Sequence, residues 1–83
     1  MDIVKKDEIV RVLGVYKSQL YLNWWAAQVV VQRNGKFFRI RLPYNTSEQA
    51  YEATQFLNGE VQTMPEPVFK PIIHESDVNG HVR

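Results

Sequence analysis

The stretch Trp24-Trp25-Ala26-Ala27-Gln28-Val29-Val30-Val31-Gln32-Arg33-Asn34-Gly35-Lys36-Phe37-Phe38-Arg39-Ile40-Arg41-Leu42 decides the fold. Asn34-Gly35 separates two runs rich in β-branched and aromatic residues, Trp24 to Arg33 and Lys36 to Leu42. Both turn residues tolerate the positive φ of a type I′ turn, so the pair predicts a two-residue hairpin. Side chains alternate across a strand. Trp25, Ala27, Val29 and Val31 therefore share a face with Phe38, Ile40 and Leu42, the expected core. Trp24, Gln28, Gln32, Phe37, Arg39 and Arg41 are expected on the opposite face, exposed to solvent. Pro43 is expected to end the third strand, because it has no N–H for a ladder.

Upstream, Glu8 to Tyr16 reads as the first strand, with Gly14 marking a bulge or a close backbone approach. Lys17 to Asn23 is either a loop or a turn in which Leu20-Tyr21-Leu22 opens the next strand. Downstream, Thr46 with Gln49 forms a capping box, and Glu48 suits the positive end of a helix. Ala50, Ala53 and Leu57 fall on one helical face with Phe56 beside them, and Gly59 after Asn58 supplies a left-handed cap. Asn45-Thr46-Ser47 is also a glycosylation sequon, but helix capping explains the same residues. Met64 to Pro71 holds three prolines and is expected to be extended, with Val68, Phe69, Ile72 and Ile73 packed on the domain or offered to a partner. Ser76 to Arg83 reads as a frayed tail. The expected fold class is α+β, a three-stranded antiparallel sheet packed against one helix. Residues 1–60 form this domain, and 61–83 an extended proline-containing tail.

Eighty-three residues with 45% hydrophobic content make one small folding domain. No apolar run approaches the ~18 residues of a membrane helix, and the charged start Met1 to Glu8 lacks the apolar centre of a signal peptide. With no cysteine there is neither a disulfide framework nor a thiolate metal site, and a cytoplasmic location is the expectation. Net charge is +1, but it is segregated. Residues 1–44 carry eight Lys and Arg against three acids, whereas residues 45–83 carry two against six. A basic half suggests one face that meets a polyanion, although ordinary surface charge can segregate in the same way.

Catalysis has no support in the sequence. Nucleophilic chemistry needs an activated Ser, Cys or Thr near a His and a carboxylate. The two histidines, His74 and His81, lie in the proline-flanked tail, and with Glu75 and Asp77 they match no metal-ligand spacing. The four glycines are scattered and form no phosphate loop. Neither an enzyme nor a cofactor or metal is expected. Binding is. Arg can bond guanine edges and Gln adenine edges, and a sheet can enter a major groove. The candidate nucleic-acid-binding residues are Arg11, Tyr16, Lys17, Trp24, Gln28, Gln32, Arg33, Lys36, Phe37, Arg39 and Arg41. The competing readings are a solvated face on which Trp24 and Phe37 shield each other, and a homodimer or partner surface built on them.

Three short motifs resemble the AP2/ERF-type DNA-binding domain and, more distantly, the arm-binding domains of tyrosine recombinases. Gly14-Val15-Tyr16 resembles the family's G-V-R. Trp25-Ala26-Ala27-Gln28-Val29 resembles its aromatic-A-A-E-I strand, and Tyr44-Asn45-Thr46-Ser47-Glu48-Gln49-Ala50 resembles the F-x-T-x-E-E-A that opens its helix. The resemblance covers residues 12–57. It implies a sheet lying in the major groove of double-stranded DNA, with contacts at Gly14, Tyr16, Gln28 and the third strand. Tyr16 stands where the family has arginine, and Arg41-Leu42-Pro43-Tyr44 replaces L-G-x-F. Strict alignment would also turn Phe38 and Ile40 outward unless a bulge lies near Pro43; hydrophobic alternation keeps them inward. The function expected is a DNA-binding regulator or recombination accessory factor, fitting a phage- or mobile-element-encoded protein. The alternative is a protein-interaction module such as a phage inhibitor of a host enzyme.

Overall fold

A computed structural model describes residues 4–18 and 24–75. The chain is α+β: β1 (Ile9–Lys17), β2 (Trp25–Arg33), β3 (Lys36–Tyr44), α1 (Ser47–Leu57) and β4 (Ile72–Glu75), preceded by a 3-10 turn over Lys6–Glu8. The strands form one antiparallel sheet in the order β1-β2-β3-β4. The expected three strands are thus four. The tail returns after Pro71 and pairs with the free edge of β3, Ile73 opposite Ile40 and His74 opposite Arg39. Among the segments assigned to the sequence, Leu20-Tyr21-Leu22 and Ser76 to Arg83 with His81 lie outside the described residues.

The hairpin forms as its turn chemistry requires. Asn34 and Gly35 both take positive φ, 52° and 79°, and register runs unbroken from Arg33↔Lys36 to Trp25↔Tyr44. No bulge occurs near Pro43, so hydrophobic alternation governs over strict motif alignment. Val29, Val31, Ile40 and Leu42 are fully buried on the helix side. Pro43 does not end β3; it pairs opposite Ala26. In an antiparallel strand the N–H and C=O of one residue point to the same side. The Pro43 carbonyl accepts from the Val68 N–H at 2.9 Å, away from β2. The missing donor therefore lies on the tail side and costs the β2 ladder nothing.

β1 departs from simple alternation. Its register shifts between Ile9 and Arg11 and again between Val12 and Gly14, leaving Val10 and Leu13 as extra residues. Gly14 lies beside the second shift with φ +114°, a backbone region L side chains rarely adopt. The two bulges explain why apolar residues fall at 9, 10, 12, 13 and 15, while Ile9, Val12 and Val15 still pack on the core.

The helix begins and ends as its caps dictate. Thr46 Oγ1 accepts the Gln49 N–H at 3.1 Å. At the other end Gly59 N–H bonds Phe56 O and Glu60 N–H bonds Gln55 O, with Gly59 at φ +79°. That double bond pattern satisfies two end carbonyls. Ala50, Ala53 and Leu57 are buried against β1, β2 and β3. Small residues at the contact let the helix axis approach the sheet. Val4 and Tyr44 complete the core, and the Tyr44 hydroxyl donates to Pro65 O at 2.8 Å, pinning the proline-rich segment to the sheet end.

Candidate nucleic-acid interface

The face of the sheet opposite α1 is built row by row from the register. Arg11, Val30, Arg39 and His74 stand across one row, and Gly14, Gln28, Arg41 and Ile72 across the next. Tyr16, Ala26 and Pro43 follow toward the open end, and Gln32 faces Phe37 near the turn. Seven of the expected contact residues, Arg11, Tyr16, Gln28, Gln32, Phe37, Arg39 and Arg41, thus share this outer face. Trp24 lies just beyond β2 at its open end, edge-to-face with Phe69 at 6.1 Å between centroids. Trp24 and Phe37 do not shield each other, because hairpin register puts them at opposite ends of the strands.

Three expected contacts fall elsewhere. Lys17, Arg33 and Lys36 alternate to the helix side of the sheet. The Lys17 ammonium sits 5.7 Å from the centre of the Trp25 ring. Arg33 Nε donates to Glu8 Oε2 at 2.9 Å. This bond holds the Glu8 carboxyl below the usual carboxylate range, and burial opposes it. Counting basic residues along the sequence could not separate these from the outer-face arginines; parity could.

The outer face is less exposed than alternation alone implies. Val30 is fully buried, Ala26 is 5% exposed and Gln28 9%. Each is a short or medium side chain in a middle strand: Val30 lies between Arg11 and Arg39, Ala26 between Tyr16 and Pro43, and Gln28 beside Arg41. Arg39 and Arg41 are half-buried, and the Nε of each is buried without a hydrogen-bond partner. Among the described residues no carboxylate pairs with Arg11, Arg39 or Arg41. Desolvation, and then the charge of Arg41 two residues away, pushes the Arg39 guanidinium below its ordinary range. Two neighbouring cations thus share one face with no paired carboxylate among the described residues. Such an arrangement is costly by itself and favours an anion arriving from outside.

The sequence did not point to Ile72 and His74 as members of this face, nor to Phe69 as the ring partner of Trp24. Ile72-Ile73 after Pro71 was the available signal: two β-branched residues directly after a proline, at a place where an edge strand can start. Among the described residues no cluster of His, Asp and Glu could hold a metal ion, and no helix is long and apolar enough to cross a membrane. Compared with protein-family models, curated protein sequences and solved structures, the chain matches none significantly. The AP2/ERF resemblance therefore stands on its three quoted motifs alone.

Proposed function

We propose that the protein binds DNA through the outer face of its sheet, as a regulator or recombination accessory factor. The observation that carries this reading is the Arg39–Arg41 pair, half-buried, with both Nε atoms unpartnered and no carboxylate paired with either among the described residues. Phosphate oxygens would supply the acceptors both groups lack, through charge-assisted bonds. Arg11 extends the basic row across β1, and Gln28 between the strands offers an amide to a base edge. The aromatic rings at the two ends, Trp24 with Phe69 and Phe37, add stacking surface.

The test is retardation of a mixed-sequence DNA, offered as duplex and as each separate strand, across a salt series. Affinity should fall steeply with salt, with a log–log slope reduced by about 1 for each phosphate-contacting arginine removed. Failure to retard any of these DNAs at low salt would overturn the proposal. A second reading has its own support: Phe69 is 61% exposed on top of Trp24. An exposed ring backed by a half-buried one suits a protein partner, such as a host enzyme to be inhibited. That complex would be nearly insensitive to salt and lost on Trp24→Ala.

A further inference from the structure

The outer face has a notch at its β1 edge. In the row Gly14–Gln28–Arg41 the β1 position carries no side chain, and a Cβ built on Gly14 would meet nothing within 4 Å. Arg11 and Tyr16, both exposed, flank Gly14 in β1, and the Tyr16 ring reaches back past it, its hydroxyl donating to Leu13 O at 3.2 Å. Gln28 forms the floor. It is nine-tenths buried, and its side-chain amide has no hydrogen-bond partner among the described residues. Arg41 borders the notch from β3 with an Nε that is also unpartnered.

We infer that this notch seats one unpaired base, so that single-stranded DNA is bound in preference to duplex; the inference rests on the DNA-binding reading above. Three features carry it. The first is depth. In a duplex the base edges lie at the bottom of a major groove about 8.5 Å deep, and only side chains that project from a surface can reach them. Gln28 is recessed and Arg39 and Arg41 lie half-buried along the sheet, so base edges must come to them. An unstacked base can turn into a notch; a paired one cannot.

Width is the second feature. Strands lie about 4.8 Å apart, so four of them separate the outer strand axes by about 14 Å, against a major groove about 12 Å wide. The fourth strand removes the fit that a two- or three-stranded ribbon would have. The third feature is the placement of rings. Tyr16, 48% exposed, borders the notch, and Trp24 with Phe69 lies one step further toward the open end. Rings set along a basic groove are platforms for successive unpaired bases. Within the notch, the Gln28 amide offers the acceptor and donor that match an adenine edge. Arg41 at its border, with Arg11 and Arg39 one row away, is placed for the phosphates on either side.

The experiment is fluorescence anisotropy on the full chain with a labelled oligonucleotide of about 16 nucleotides, free and annealed to its complement. The single strand should bind at least about fivefold more tightly, the worth of one stacked base. Homo-oligomers of the four deoxynucleotides should differ in affinity. Gln28→Leu, which keeps the volume and removes the amide, should narrow that spread and leave the salt slope unchanged. Duplex bound as tightly as the single strand, or four homo-oligomers bound alike, would overturn the notch and leave DNA binding standing. Loss of both forms at low salt would instead overturn the DNA reading itself. The wild-type comparison does not depend on any variant folding.

Discussion

The two faces of the one sheet bury their middle strands by different means. On the helix side Val29, Ile40 and Leu42 meet Ala50, Ala53 and Leu57, apolar against apolar. On the outer side Val30 is just as inaccessible and Gln28 nearly so, yet their neighbours across the sheet include Arg11, Arg39 and Arg41. The first face is built for stability. The second sets charge over apolar surface, with the Nε atoms of Arg39 and Arg41 buried and unpartnered.

The difference can be broken most forcefully from the helix side. Leu42→Ala removes a fully buried side chain from the core and should cost about 2–5 kcal/mol, read as a lower urea midpoint. Losing less than about 1 kcal/mol there would mean the helix does not pack as described. From the outer side the expected sign reverses. Replacing both Arg39 and Arg41 by Met keeps the apolar stems and removes two unpartnered donors. Stability should be unchanged or higher by up to about 1 kcal/mol, while DNA affinity falls. A large loss of stability would make the arginines structural and the face inert.

Two smaller effects sharpen how the ends of the sheet are held. Tyr44→Phe leaves Pro65 O without its donor and should cost about 1 kcal/mol at neutral pH. Burial, and then the nearby Glu66 charge, raises the Tyr44 phenol above its ordinary value. Its contribution is complete below the unfolded value of about 10 and is lost as pH rises from there toward the folded value. The alkaline loss in denaturant midpoint should therefore be smaller in Tyr44→Phe. Glu8→Gln is the mildest change. The folded Glu8 carboxyl is depressed, so its contribution is present above the unfolded value and is lost as pH falls through the folded one. The variant should flatten the acid limb of stability and leave the neutral value nearly unchanged.

Much of this architecture was legible in local sequence, and the remainder depended on distant partners. Asn34-Gly35 specifies its hairpin because both residues accept positive φ, and Thr46 with Gly59 brackets α1 through its own end groups. Parity then sorts the faces correctly wherever register is unbroken. It fails in β1, where the bulges at Val10 and Leu13 are set by pairing with β2. Pro43 looked like a strand end because the direction of its missing donor depends on Val68, 25 residues later. β4 was missed for the same reason, since a four-residue edge strand is defined by the β3 edge it meets and has no period of its own. For the site, the sequence identified the outer-face arginines but also included Lys17, Arg33 and Lys36, which alternate to the other side. Composition records charge; only register assigns it to a face. That Gly14 falls opposite Gln28 was equally hidden, because the bulges decide which rows come into line.

The central proposal is that DNA supplies the partners that Arg39 and Arg41 lack among the described residues. The most direct measurement is the salt dependence of DNA affinity for the wild type and for the Arg39→Met, Arg41→Met double variant, each first shown to be folded. The account predicts steeply salt-dependent binding by the wild type, with a log–log slope shallower by about 2 in the variant and weaker binding at every salt concentration. Equal affinity and equal slope for the two proteins would contradict it.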